Sequence, residues 1–353
     1  MPRRYRRLSG GVRRPSSWRR LTQQFKLRRR LQRLKLALIV VVSVLLILSA
    51  WSVWKFLAEP FKTSASSTFQ NDYTWDGNTP FDLLIIEVGG VDEVSPPTEN
   101  IEVVSLNPGQ GLLTTVSLPV GYQNLRDLYG LGNLSGNRDG VGEVANAVRR
   151  ILGVPVDDYL LIDHGGVKKL GEVFPKVHGF KDALTFENLL KFPEFLGVAR
   201  QSMRTNLNVL EILRIVWYVL GVRSDKVTQL ALDPKILGDQ AALDQELSPY
   251  FRDEKLVAEH LKIQVLNGSG EAGLAGAVAR IIRNVGGGVI RVDNYERQDL
   301  EKGYLLLDSS GSYTALRMAQ IFGVSDSRPP RSGSEARADI SVVLGNKNSF
   351  RSE

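Results

Sequence analysis

Leu36 to Trp54 is a run of nineteen residues in which Ser43, Ser49 and Ser52 are the only polar side chains. As a helix rising 1.5 Å per residue it is roughly 28 Å long, close to the hydrocarbon thickness of a bilayer. The 35 residues before it carry fourteen Lys or Arg and no acid, and cations beside a span resist translocation. The sequence therefore predicts a basic cytoplasmic tail over 1–35 and a transmembrane helix over 36–54. The rest of this single-pass cell-membrane protein is expected outside the cytoplasm. Trp51 and Trp54 fall where the outer headgroup layer accommodates indole rings. A cleaved secretory signal fits less well, because the run is long and Leu48-Ser49-Ala50-Trp51 is a poor small-residue cleavage site.

The span also changes the meaning of the charge. The whole chain is +7, but without the tail 31 Lys or Arg face 38 Asp or Glu. The basic surplus belongs to the tail, where it serves as a topology signal with affinity for anionic headgroups, and no nucleic-acid partner is expected. The absence of cysteine excludes disulfides, thiol nucleophiles and Cys-ligated metals. His164, His178 and His260 are the only histidines. None stands in H-E-x-x-H, and no G-x-S-x-G elbow accompanies them.

Beyond the span, 55–80 is polar and reads as a linker. Short runs rich in Val, Ile, Leu and Thr then alternate with helical patterns. Strands are expected at Phe81 to Val88, Ile101 to Leu106, Leu112 to Leu118, Tyr159 to Asp163 and Val227 to Leu232. Helices are expected at Gly142 to Leu152, Val167 to Phe174 and Leu207 to Leu220. The interleaving predicts an α/β domain over 81–235. Residues 236–260 are mostly polar, with Pro249 as a breaker, and read as a second linker. From 261 to 345 the pattern is strand, helix, strand, strand, helix, strand. That order predicts a small α+β domain of the ferredoxin-like, split βαββαβ kind, followed by a short tail, 346–353.

Gly268, Gly270 and Gly273 fit G-x-G-x-x-G between a strand and a helix, and Asp293 ends the following strand. On spacing this is a dinucleotide fingerprint. The domain is too short for two mononucleotide halves, however, and lies on the wrong side of the membrane for a nicotinamide pool. A tight glycine turn is the better expectation.

Leu266-Asn267-Gly268-Ser269-Gly270, then Gly273-Leu274-Ala275 and Asp339-Ile340-Ser341-Val342-Val343-Leu344-Gly345, resemble the C-terminal domain of LytR/CpsA/Psr regulators. The preceding domain resembles the catalytic domain of the same LytR-CpsA-Psr family over about residues 97–175. Its landmarks are Val103 to Pro108, Val116-Ser117-Leu118-Pro119, Leu152 to Tyr159, Ile162-Asp163 and Gly166 to Leu170. The resemblance implies a cell-envelope protein. Members of the family transfer glycopolymers from a polyprenyl pyrophosphate carrier to peptidoglycan, using an Asp, several Arg and a magnesium ion.

Pro97-Thr98-Glu99 stands where members carry R-S/T-D, and Val120-Gly121 where they carry Arg-Asp. The later segment that holds further arginines is short and keeps only Arg200 and Arg204. Glu99, Arg126 and Asp163 are the residues left as candidate ligand-binding groups. Stabilising a leaving pyrophosphate requires Arg forks or a well-held divalent ion. The expectation is therefore a non-catalytic relative with no cofactor, whose partners are the membrane and a wall glycopolymer or polyprenyl-linked precursor. A divergent phosphotransferase using magnesium is the alternative.

Overall fold

The computed structural model describes residues 74–93, 95–134, 139–166, 168, 197–198, 200–307, 311–324, 327–328 and 338–346. The basic tail, the apolar run and nearly all of the helix expected from Val167 lie outside the described residues. Among the described residues no helix is long and apolar enough to cross a membrane.

The first sheet contains β1 (Phe81–Val88), β2 (Thr98–Asn107), β3 (Leu112–Leu118), β4 (Asp158–Asp163), β5 (Met203–Thr205) and β6 (Val227–Ala231), in the order β5-β4-β1-β2-β3-β6. β1 and β4 are parallel, as are β3 and β6, while β2 runs against both β1 and β3. β1, β3, β4 and β6 therefore share one direction, and their carboxyl ends lie along one edge of the domain. β1 (FDLLIIEV) is largely buried, as expected for a nearly continuous apolar strand covered on both faces.

Helices α1 (Leu125–Leu134) and α2 (Gly140–Leu152) cover one face of this sheet. Leu125, Tyr129, Val144 and Val148 pack there on Leu84, Ile86, Val103 and Val116. Helix α3 (Val209–Gly221) lies on the other face, with Ile212, Ile215 and Tyr218 against Phe81, Leu83, Leu106 and Trp75. A capping box starts α3: Asn208 accepts from the Glu211 N–H, and Glu211 accepts from the Asn208 N–H.

Residues 236–260, read in the sequence as a connector, are largely helical. They include the second half of α4 (Pro234–Leu237) and all of α5 (Gln240–Phe251) and α6 (Glu254–Glu259). The polar residues that disguise them are caps: Asp239 accepts from the N–H groups of Ala241 and Ala242, and Asp253 from those of Lys255 and Leu256. Leu243, Leu247 and Phe251 enter the first core, and Leu256 enters the second.

The second sheet contains β7 (Lys262–Asn267), β8 (Gly288–Asn294), β9 (Tyr304–Leu307), β10 (Ser327–Arg328) and β11 (Ile340–Leu344). Helix α7 (Leu274–Asn284) links β7 to β8, and α8 (Tyr313–Phe322) follows β9. The expected element order is present, with β10 added. The expected ferredoxin-like arrangement is not, because the strand order is β10-β9-β11-β7-β8. In a split βαββαβ sheet the first two strands are separated by the third. Here β7 and β8 are direct parallel neighbours, and β11 pairs in parallel with β7 and antiparallel with β9. Burial explains the choice: all five residues of β11 are buried and demand a central position, while β8 is mostly exposed and forms an edge.

Polar groups join the two cores. Arg280 and Asn284, one turn apart on α7, reach the end of α2. The Arg280 Nη1 donates to the carbonyls of Arg150 and Ile151 (2.8 and 3.2 Å), and Asn284 Nδ2 donates to Gly153 O at 2.8 Å. They satisfy carbonyls that a helix leaves without intrahelical partners, and the cation faces the negative end of the dipole. From α8, Arg317 is buried among Asp157 (3.3 Å), Asp82 (3.6 Å) and Asp253 (3.8 Å).

Candidate functional site

The carboxyl ends of parallel strands are where open α/β sheets place ligands, and all three candidate residues belong to that edge. Glu99 is the second residue of β2, beside the end of β1, because Val88 pairs with Thr98. Asp163 ends β4 opposite Val88. Arg126 opens α1, just after β3, and its N–H donates to Val120 O at 2.9 Å. The fold thus gathers them at one end of the sheet but does not connect them. Glu99 and Arg126 are exposed, and no hydrogen bond or ion pair joins either side chain to another of the three.

Asp163 is half-buried and already employed. Its Oδ1 accepts from Gly166 N–H at 3.0 Å and its Oδ2 from Val91 N–H at 3.3 Å, so it ties two loops to the end of β4. Next to it, His164 Nδ1 lies 2.7 Å from Glu87 Oε1. Arg204, in β5 opposite Leu161, is only 6% exposed. Its guanidinium donates to the carbonyls of Arg200, Gln201 and Met203 and pairs with Asp92 at 2.7 Å. Tyr129 of α1 is buried close by. Burial raises the pKa of its hydroxyl, against the lowering effect of a hydrogen bond with Asn133.

Gln123 (φ 48°) and Asn124 (φ 58°) form a left-handed turn between Val120-Gly121 and Arg126. Such conformations cost of order 1–3 kcal/mol each in non-glycine residues and persist where surroundings enforce them. Tyr122 supplies part of that constraint, its hydroxyl donating to Leu237 O at 3.0 Å.

A magnesium-bound pyrophosphate would make definite demands on the donors at this edge. Such a site needs carboxylate oxygens free to ligate and cations free to fork the phosphates. Both Asp163 oxygens hold backbone N–H groups, Asp92 holds Arg204, and Arg204 serves carbonyls. Among the described residues no group of three His, Asp or Glu could hold a metal. Glu99 and Arg126 stay exposed and apart from Asp163, so the described residues at this edge assemble no cage of protein ligands around an ion.

The glycine turn is self-contained. Gly268 N–H donates to Leu344 O, Ser269 N–H to Asn267 Oδ1 and Glu271 N–H to Ser269 Oγ, so three amides of the turn are held within the domain. A Cβ at Gly268 would stand 2.5 Å from Leu300 Cδ1 and 2.7 Å from Leu344 O. Gly270 and Gly273 adopt φ of +75° and +82°, the region glycine tolerates. Glu271 leaves the loop to pair with Arg150 of α2. Sequence reasoning missed this role and that of Arg317, whose only local signal was a charge inside an apolar helix, Tyr313-Thr314-Ala315-Leu316-Arg317-Met318.

Residues 260–347 match the family model described as LytR cell envelope-related transcriptional attenuator. The C-terminal domain is therefore a LytR-type domain. Among solved structures, the transcriptional regulator YvhJ from Bacillus subtilis is 18% identical, over 47% of this chain and 98% of its own, with a TM-score of 0.34. TagV of B. subtilis is 17% identical over 48% and 98%, also with a TM-score of 0.34. TagT bound to LI-WTA is 12% identical over 53% and 98%, with a TM-score of 0.33. No curated protein matches the chain.

Proposed function

We propose that this chain is a single-pass, membrane-anchored envelope protein that binds wall glycopolymer, a lipid-linked precursor or a partner outside the cytoplasm, without catalysis and without nucleic acid. Support for the envelope comes from the LytR-type domain at 260–347 and from the apolar run with its basic flank. The observation that carries the non-catalytic reading is the engagement of Asp163. Asp163 spends one lone pair of each oxygen on a backbone N–H group, at 3.0 and 3.3 Å, and neither Glu99 nor Arg126 is joined to it. Val120-Gly121 nearby offers no charge. The solved neighbour described as TagT bound to LI-WTA makes wall polymer the first ligand to try.

The test has two arms. The full chain in detergent is expected to co-sediment with purified wall that retains its glycopolymer and to lose that binding when the polymer is stripped. Incubated with a polyprenyl pyrophosphate analogue and magnesium, it is expected to release no phosphate or pyrophosphate. Magnesium-dependent release abolished by Glu99→Ala would overturn the non-catalytic reading in favour of a divergent phosphotransferase.

A further inference from the structure

Helix α3 buries one side on the sheet and turns an apolar side outward. Leu210 is 61% exposed, Leu213 56% and Val216 46%, and Trp217, at 69%, continues the stripe. These positions follow the three- and four-residue spacing of one helical face. The face is uninterrupted by charge, which lies at its margins. Arg214 is exposed and donates to Trp75 O; Arg223 and Lys226 follow the last turn, with Arg223 also 3.0 Å from Asp225. A hollow of about 380 Å³ at that end is lined by Trp217, Tyr218, Val222, Arg223 and Lys226. An apolar floor beside cations has the chemistry of an anionic phospholipid's glycerol region and headgroup.

The path of the chain points to the same occupant. Trp75, at the start of the described domain, docks directly on α3: its N–H donates to Glu211 Oε1 at 2.8 Å, and its ring meets Tyr218 edge-on at 6.5 Å. Trp54, the end of the apolar run, is 21 residues earlier. A coil of that length would have a root-mean-square span of roughly 25 Å. A span ending there would hold α3 at high effective concentration beside lipid.

We infer that the outer face of α3 is a second membrane contact, lying in the outer headgroup layer and fixing how the envelope domains sit on the bilayer. The inference rests on the anchoring part of the proposed function. An interfacial helix presents this combination of apolar stripe, tryptophan and flanking cations.

Because the chain has no cysteine, single labels test the idea in the full protein. Leu213→Cys, Leu316→Cys on α8 and Ser49→Cys in the apolar run would each carry an environment-sensitive fluorophore. The labelled proteins would be reconstituted in vesicles of phosphatidylethanolamine and phosphatidylglycerol containing a nitroxide lipid. Quenching at Leu213 is expected to exceed that at Leu316 by about threefold, as for an interfacial helix, and Leu210→Glu is expected to remove the excess. Equal quenching at Leu213 and Leu316 with strong quenching at Ser49 overturns the inference and leaves the anchor standing. Absence of quenching at Ser49 overturns the anchor instead, whatever Leu213 reports. Blue-shifted but unquenched emission at Leu213 assigns the face to a second copy and also overturns the inference.

Discussion

Asp82 is the second residue of β1 and is 2% exposed. Its neighbours are Asp157, Asp253, the hydroxyl of Ser105 and Arg317. Three carboxylates around one guanidinium cannot all ionise in a dry interior. Asp157 forms the closest pair with Arg317, while burial, and then the charge of Asp157, push Asp82 up to about 8 against the pull of Arg317. The same cluster acts in reverse on Arg317: burial opposes its charge, but Asp157, Asp82 and Asp253 outweigh it, so its pKa rises. The sign for stability follows from linkage. Asp82 holds its proton in the folded chain but releases it near pH 4 when unfolded, so its contribution is full below about pH 4 and is lost as pH rises towards 8. Asp82→Asn, which mimics the protonated acid, is expected to match the parent near pH 4 and to be more stable at pH 8. Thermal unfolding across that range checks this. Asp158, raised by burial first, adds a slope of the same sign that the substitution leaves in place.

At the scale of elements, the end of α2 shows how one helix serves two domains. Gly153 closes α2 at φ 65°, its N–H donating to Arg149 O at 2.9 Å. Its carbonyl is the one that Asn284 of α7 captures. A Cβ there would stand 2.7 Å from Arg280 Nε and 2.8 Å from Asn284 Nδ2. Gly153→Ala is expected to destabilise the protein by about 1–2 kcal/mol from the left-handed backbone alone, with a further loss as α7 shifts. A urea titration measures the total, and hydrogen exchange in α7 as well as α2 distinguishes a shared junction from a local cap. Sequence spacing revealed the helix and its glycine stop. It could not reveal that the stop is also a contact, because Asn284 is 131 residues away.

At the scale of the whole molecule, buried Arg317 links the two cores. It comes from α8 and meets Asp82 of β1 and Asp157, just before β4, together with Asp253, the cap of α6. Tyr313, one turn earlier, donates its hydroxyl to Asp253 at 2.6 Å, and Glu259 accepts from the N–H groups of Tyr313 and Thr314. Removing the cation leaves buried carboxylates without their counter-charge, a change that typically costs about 3–5 kcal/mol. Arg317→Met is expected to lose stability on that scale and to split a single unfolding transition of the two domains into two. Calorimetry reads both effects, and a variant that keeps one sharp transition at the parent's temperature would show that the cluster does not couple them.

The sequence alone determined where most strands and half of the described helices lie, because alternation and helical spacing are local properties. β1 and β3 have the limits that their apolar runs predict, and the glycine turn falls between β7 and α7. Composition alone removed thiol chemistry, since no cysteine exists to perform it. The motifs were enough to recognise the C-terminal domain. Strand order was beyond sequence reasoning: nothing local in Ile340 to Leu344 says which strands flank it, and only its burial on both faces placed it at the centre, against a ferredoxin-like sheet. The helices in 236–260 were hidden because their Asp caps look like ordinary polar linker. The candidate site divided in the same way. Residue types nominated Glu99, Arg126 and Asp163, but only tertiary structure decided that they share an edge without touching and that Asp163 is committed to backbone amides. Hydrogen bonds and ion pairs between distant segments depend on how whole elements pack, and that information is absent from any window of the chain.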